Sequence, residues 1–181
     1  MIFNPNIPGL FNRNRNKADR PVLRPELSPV DWLLEATTLL GLMTFFGFAI
    51  YHYPNLPASI PSHFNGSGIA DDYSGKSSFW ALPGIAVFIY LLMSLIALIP
   101  HQFNYTVKIT PANALRQYTL AVRMIRYLKT ALICLFFYIS YATVRDVAKE
   151  DPGLGVFFLP VVLGAIVIPV IIFMILSFKH R

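Results

Sequence analysis

Residues 33–51 read LLEATTLLGLMTFFGFAIY, an apolar run of 19 residues broken by a single charge, Glu35. A helix of that length rises about 28 Å, close to the hydrocarbon thickness of a bilayer. Its nine Leu, Ile and Phe residues favour insertion by roughly 3–5 kcal/mol. A carboxylate half a turn inside the run costs less than the ~2.5–3.5 kcal/mol of a central one, so insertion wins. The start of the helix is also written in the chain: Ser28 can cap, Pro29 suits the first helical position, and Asp31 follows three residues after the cap. The first helix is therefore expected over about 29–51.

Two further runs carry no charge at all. Phe79–Leu98 predicts a helix over about 78–99, with Pro83 in its first turns, where proline is tolerated. Val156–Leu176 predicts one over about 152–177. Its sixteen Val, Leu, Ile and Phe residues favour insertion by roughly 5–10 kcal/mol, so Pro160 and Pro169 should kink it rather than stop it. Between them, Thr130–Val144 is uncharged for only 15 residues. Arg126 and Lys129 at one end and Arg145 at the other can snorkel and lengthen the usable span. One long third helix over 111–147 is expected, with Thr110 as cap, Pro111 at its first position, and an apolar stripe of Leu115, Tyr118, Val122 and Ile125 on its polar half. Arg116 and Arg123 face away from that stripe.

Composition agrees with lipid as the solvent. Hydrophobic residues make up 55% of the 181 and charged residues 13%, about half the charged fraction of a soluble domain. The net charge of +6 is not gathered into one patch, which argues against a nucleic-acid partner. Twelve Lys and Arg (Arg13, Arg15, Lys17, Arg20, Arg24, Lys108, Arg116, Arg123, Arg126, Lys129, Lys179, Arg181) fall on one side of the predicted spans and three (Lys76, Arg145, Lys149) on the other. Such a bias places both termini in the cytoplasm. No cleavable leader is expected, because Met1–Pro29 has no apolar run of the necessary length. Residues 1–27 read as an irregular tail, in which Ile2, Phe3, Ile7, Leu10 and Phe11 are candidates for touching the bilayer or a partner. Residues 28–181 read as an all-α membrane domain: a four-helix transmembrane bundle whose third helix extends into the cytoplasm. The lone cysteine, Cys134, permits no intramolecular disulfide.

The connection between the first two helices, residues 52–77, is the exception to short helical loops. It holds Pro54, Pro57 and Pro61, which fix φ, and Gly66, Gly68 and Gly75, which free it. Asn65-Gly66 is a tight-turn signal. A compact irregular cap on the outer face is expected, not a linker. His63 and Asp71, with His52 and Asp72 near, have ligand chemistry, but no pair stands at a metal-site spacing. Asp71 and Asn65 are expected to bond loop backbone, and Lys76 to pair with an aspartate or anchor the loop at the headgroups. No metal or cofactor is assigned. Glu35 should meet Arg123, Arg126 or Lys129 at the same depth, since ionisable groups at membrane depth seek partners. Thr106–Ile109 alternates enough for a brief strand-like segment.

The pattern LPxxIPxHFxxxGxxDxxxxK, standing here as Leu56, Pro57, Ile60, Pro61, His63, Phe64, Gly68, Asp71 and Lys76, resembles the membrane domain of unknown function found at the N-terminus of bacterial immunity proteins against sporulation-delaying protein, a secreted toxin. A second block, PHQFNYTVKITPANALRQY from Pro100 to Tyr118, is similar to the segment after the second helix in stand-alone members. The resemblance implies a stand-alone member in the bacterial cytoplasmic (inner) membrane. It also implies a non-enzymatic role, with the cap binding a peptide, toxin or protein partner through His63, Asn65, Gly68, Asp71 and Lys76. Two other readings stay open: a small transporter or channel component, against which no helix carries polar residues through its middle apart from Thr37, Thr38 and Thr44 in the first and Ser140 in the third, and a metal-dependent surface enzyme. No HExxH or GxSxG motif supports the last.

Overall fold

The computed structural model describes residues 17, 19–148 and 153–180. The tail positions Ile2, Phe3, Ile7, Leu10, Phe11, Arg13 and Arg15, together with Lys149 and Arg181, lie outside them. Four α-helices lie within residues 19–148 and 153–180, α1 (Pro29–His52), α2 (Ala81–Ile96), α3 (Ala114–Val147) and α4 (Phe158–Lys179), and a hairpin of β1 (Ser59–Phe64) and β2 (Ala70–Gly75) joins α1 to α2. With their short 3-10 extensions, the stretches Pro29–Asn55, Lys76–Ile96 and Phe158–Lys179 are long and apolar enough to cross a membrane. A mostly helical, multi-pass membrane protein follows from them.

The ends of the helices have local causes. Ser28 caps α1 in a reciprocal box: its Oγ accepts from the Asp31 amide, and the Asp31 carboxylate accepts from the Ser28 amide at 3.0 Å. Helix α3 starts later than its Thr110-Pro111 pair suggests. The Thr110 amide donates to Asn113 Oδ1 at 2.9 Å, and the Ala114 amide to the Thr110 carbonyl at 2.9 Å. Residues 110–113 thus close a turn, and the helix begins beyond it. Pro160 falls in the first turn of α4, but Pro169 lies inside the helix. A proline there has no N–H for the carbonyl four residues back. That carbonyl belongs to Ala165, and the Tyr127 hydroxyl of α3 donates to it at 2.9 Å. The break in one helix is thereby satisfied by its neighbour. Thr106–Ile109, expected to be strand-like, is irregular; it has no neighbouring strand to pair with, and Val107 is simply buried.

Helix α3 is the central post, against which α1, α2 and α4 all pack. It runs parallel to α1, as the pairs Asp31 with Arg123, Thr38 with Thr130 and Phe45 with Phe137 show. It runs antiparallel to α4, with Gln117 opposite Ser177 and Tyr138 stacked on Phe158. Phe45, Ala86 and Ile133 meet in the middle of the α1–α2–α3 contact, with hardly any surface exposed. The apolar stripe of α3 is only partly covered: Tyr118 and Val122 are buried, while Leu115 is exposed. Arg123, off that stripe, is held by Asp31 with its side chain partly solvated. Residues 19–28 form neither helix nor strand, yet they are docked. Arg20 donates to the His101 and Phe103 carbonyls at 3.2 and 2.7 Å, and Tyr118 donates to the Pro21 carbonyl at 3.2 Å.

The expected irregular cap is instead a two-stranded antiparallel hairpin. A hairpin of this size is marginal by itself. This one sits on the ends of α1 and α3, where Ile60 packs with Ala49, Leu56, Phe79, Val144 and Val147. Full burial of Ile60, which is 1% exposed, favours that docking by about 1.5–3 kcal/mol. Its tip is pinned as well. The Leu154 amide donates to the Gly68 carbonyl at 2.7 Å, Tyr138 donates to the Leu154 carbonyl at 2.9 Å, and the Gly153 amide donates to Asp146 Oδ1 at 3.0 Å. Both backbones approach closely because both are glycine. A Cβ on Gly153, which has φ +85°, would fall 2.1 Å from the Gly68 carbonyl oxygen.

Gly153→Ala should therefore lower stability by more than about 1 kcal/mol, combining positive-φ strain with a backbone clash. Gly66→Ala is the control, because a Cβ there meets open space. Thermal unfolding in detergent checks both, and equal melting temperatures for the two variants would show that the tip is not docked on residues 153–155.

Candidate functional site

The outer hairpin is built around Asn65. Its Oδ1 accepts from the Ser67 and Ile69 amides at 2.9 and 3.2 Å, its own amide donates to the Ile69 carbonyl, and its carbonyl accepts from the Gly68 amide at 2.8 Å. Asn at the first and Gly at the fourth position are the residues that a type I turn favours. The positive φ falls on Gly68, at 76°, and not on Gly66, so the Asn-Gly pair was a signal for a turn but not for its left-handed residue. Asn65 is consequently a scaffold residue. Lys76 is another: its Nζ lies 3.4 Å from both the Tyr53 and the Pro54 carbonyls and 4.9 Å over the Tyr53 ring. It closes the free carbonyl end of α1, where a cation is electrostatically favoured, and is not paired with an aspartate.

His63 and Asp71 form the exposed part of the hairpin. The register runs Pro61 with Tyr73, His63 with Asp72 and Phe64 with Ala70, which leaves Ser62 and Asp71 as unpaired bulge residues. The bulge turns the Asp71 carboxylate onto His63, with Oδ1 2.5 Å from Nδ1. Their side chains are 66% and 43% exposed. The carboxylate occupies Nδ1 and leaves Nε2 as the ring nitrogen open to a further partner. Among the described residues no hydroxyl or thiol bonds that nitrogen, and no three His, Cys, Asp or Glu side chains come together. His52 is remote in its contacts, packed on Phe48 and Tyr51, and the Asp72 carboxylate accepts from the Tyr73 amide. What the hairpin offers is a polar handle flanked by two residues that sequence reasoning passed over, Ile69 and Tyr73, both more than half exposed. Their signal was their polar surroundings: apolar side chains within the polar stretch Asn65–Ser74.

The second group of charged residues lies at the other end of α1 and α3. Glu35 accepts from Lys129 Nζ at 2.7 Å and from Arg126 Nε at 3.2 Å. Arg123 is not its partner. Arg123 binds Asp31 with Nε and Nη2 at 3.2 and 3.1 Å and Ser28 Oγ with Nη2 at 2.9 Å, while Arg126 Nη1 reaches Asp31 at 3.1 Å. Asp31, fully buried, was legible as a capping acid but not as an ion-pair partner. The signal was its spacing: Asp31, Glu35 and Thr38 form one stripe of α1 against Arg123, Arg126 and Thr130 on α3. Thr38 and Thr130 bond each other at 2.6 Å. Lys129 is 1% exposed and also donates to Ser94 of α2 at 2.9 Å, with its Nζ 4.7 Å above the Tyr90 ring. Three cations meet two carboxylates here, and every charged end has a partner. Such a network specifies register, since removing one member leaves the others buried and unpaired.

An apolar groove of about 810 Å³ lies between α3 and α4, lined by residues such as Tyr127, Cys134, Leu135, Val161 and Ile166. No charged side chain lines it.

The network predicts a coupled loss of stability. Lys129→Ala should cost about 3 kcal/mol, as for breaking a buried pair, and Arg123→Ala about 1 kcal/mol or less because its side chain is partly solvated. Glu35→Ala combined with Lys129→Ala should cost clearly less than the sum of the two, measured by thermal unfolding in detergent; additive losses would show that the two groups are not coupled.

Compared with known proteins, residues 39–87 match a family described as a domain of unknown function (DUF1648), a stretch covering the second half of α1, the whole hairpin and the start of α2. No curated protein and no solved structure matches the chain.

Proposed function

We propose that this protein crosses the bacterial cytoplasmic membrane four times, with both ends in the cytoplasm, and that its outer hairpin is a recognition surface for a peptide or protein partner. Four spans are supported by the course of α3. It lies beside α1 from Asp31 to Ala49, so a slab of lipid that α1 crosses also contains Thr130–Val144 of α3. The basic residues at the Arg123 end fit an orientation with the hairpin outside, and the aromatic Tyr51, Tyr53 and Trp80 at the hairpin end suit a membrane interface there.

The observation that carries the recognition reading is the contrast between how firmly the hairpin is held and what it leaves open. Ile60 anchors its middle, Lys76 its base and the Gly68–Leu154 bond its tip. The His63–Asp71 pair, Ile69 and Tyr73 nevertheless remain exposed on one small element. Preorganised backbone with an aromatic, an aliphatic and a hydrogen-bonding pair on show is the composition of a binding surface, because little order remains to be lost on association. The resemblance to toxin-immunity proteins supports a secreted peptide as the class of partner. On this reading the protein is non-enzymatic and immunity-like.

Reporter fusions after Arg20, Lys76, Lys108 and Arg181 should read inside, outside, inside and inside. An outside report at Arg181 would exclude the four-span arrangement. His63→Ala, Asp71→Ala and Tyr73→Ala should each leave insertion, helix content and melting temperature intact, while reducing protection of cells against a peptide toxin or photo-crosslinking of a defined partner at position 69 by about tenfold or more, as expected for central contact residues. Unprotected hydrogen exchange across residues 56–76 would refute the recognition surface, since a preorganised hairpin must protect its ladder.

A further inference from the structure

At the end of the molecule away from the hairpin, a cleft of about 690 Å³ opens between the loop before α3, the first turn of α3 and the end of α4. Its polar lining includes Thr106, Lys108, Thr110, Arg116 and His180, and it contains no acidic residue. The Lys108 and Arg116 side chains make no ion pair or hydrogen bond with any other described residue. The contrast with the Asp31–Glu35 network, where every cation has a partner, is complete.

The cleft is a rigid construction. Gln117, fully buried, donates to the Ser177 and His180 carbonyls at 2.9 and 3.0 Å and accepts from Ser177 Oγ at 2.7 Å. This clamp fastens the last turn of α4 to the first turn of α3 and so holds His180 across from Arg116. Partial desolvation, then the nearby charges of Arg116 and Lys179, hold the His180 imidazole below its ordinary titration range. Arg116 itself stands in the first turn of a 34-residue helix that has no acidic residue there. The amino end of a helix carries partial positive charge, so a cation is out of place at it. Counting basic residues on one side of a membrane explains their number but not their convergence on a concave site beside a helix start.

Two cations, Lys108 and Arg116, with threonines in the lining and a helix amino terminus are the chemistry that binds phosphate. We propose that this cleft binds a phosphate-class anion, presented either free in solution or as the headgroup of an anionic lipid. The bound anion satisfies Lys108 and Arg116, relieves the repulsion at the start of α3 and favours protonated His180. Violations of local electrostatic preference concentrate at sites of function, and this one has a single simple remedy.

The test follows the histidine titrations by NMR in the full-length protein, with His180→Gln used to assign the signal among the four histidines. In neutral detergent, inorganic phosphate is compared with sodium chloride at equal ionic strength; in nanodiscs, phosphatidylglycerol is compared with phosphatidylcholine. The His180 midpoint should rise by about one unit with the anion in place. Lys108→Gln combined with Arg116→Gln should abolish the rise, and Lys108→Gln alone, which lies outside every helix and leaves folding intact, should reduce it. A rise with inorganic phosphate identifies a soluble anion, and a rise only with phosphatidylglycerol identifies a lipid headgroup. No rise in either arm, or an equal rise at His101, which would report surface potential alone, overturns the proposal.

Discussion

Two carboxylates on α1 and three cations on α3 cannot be left without one another at membrane depth, and the rest of the architecture is arranged around their meeting. Apolar packing in lipid has little preference for register, because a helix face that slides along its neighbour exchanges one hydrocarbon contact for another. Asp31 with Arg123 and Arg126, and Glu35 with Arg126 and Lys129, remove that freedom. A slip of one turn between α1 and α3 would strand a charge. Once the register is fixed, Phe45 meets Phe137, Thr38 meets Thr130, and the far end of α3 arrives under Ile60 to support the hairpin. The Lys129 contact with Ser94 carries the same constraint to α2.

Helix α4 is fastened differently. Its contacts with α3 include three directed hydrogen-bonding groups: Gln117 at one end, Tyr127 in the middle and Tyr138 through Leu154 at the other. The middle one depends on a defect, since the Ala165 carbonyl is open only because Pro169 cannot bond it. Proline in α4 thus creates the acceptor that a tyrosine of α3 recognises, and the uncharged middle of an apolar helix gains an orientation.

The apolar runs made the helices legible, because insertion free energy sums over many residues and tolerates local ambiguity. The Ser28–Asp31 cap was legible for a different reason: reciprocal capping needs particular residues at a particular spacing. The hairpin was not. SIPSHF and ADDYSG show neither sustained alternation nor strong strand propensity, and Pro61 argues against a strand. They pair because Asn65 and Gly68 turn the chain and Ile60 has a socket on α1 and α3, a tertiary cause that no window of sequence contains. The start of α3 was misread because Thr110-Pro111 resembles a cap, whereas Asn113 reaches back to the Thr110 amide and closes a turn first. Among the candidate site residues, Asn65, Gly68 and Lys76 hold the turn, tip and base of the hairpin. Only His63 and Asp71 of that set face outward as a pair.

The hydrogen bond from the Leu154 amide to the Gly68 carbonyl also bears on modularity. The stretch that matches a known family, residues 39–87, contains the hairpin but not the surface on which it rests. Its tip leans on Gly153 and Leu154, and its flank on Val144 and Val147, all from beyond the matched boundary. Excised at that boundary, the segment would keep its turn and its short ladder and lose its foundation. Any other chain that carries this segment has to furnish an equivalent seat: a backbone amide for the glycine carbonyl at the tip, and small or aliphatic side chains beneath the isoleucine. The matched stretch is accordingly smaller than the folding unit.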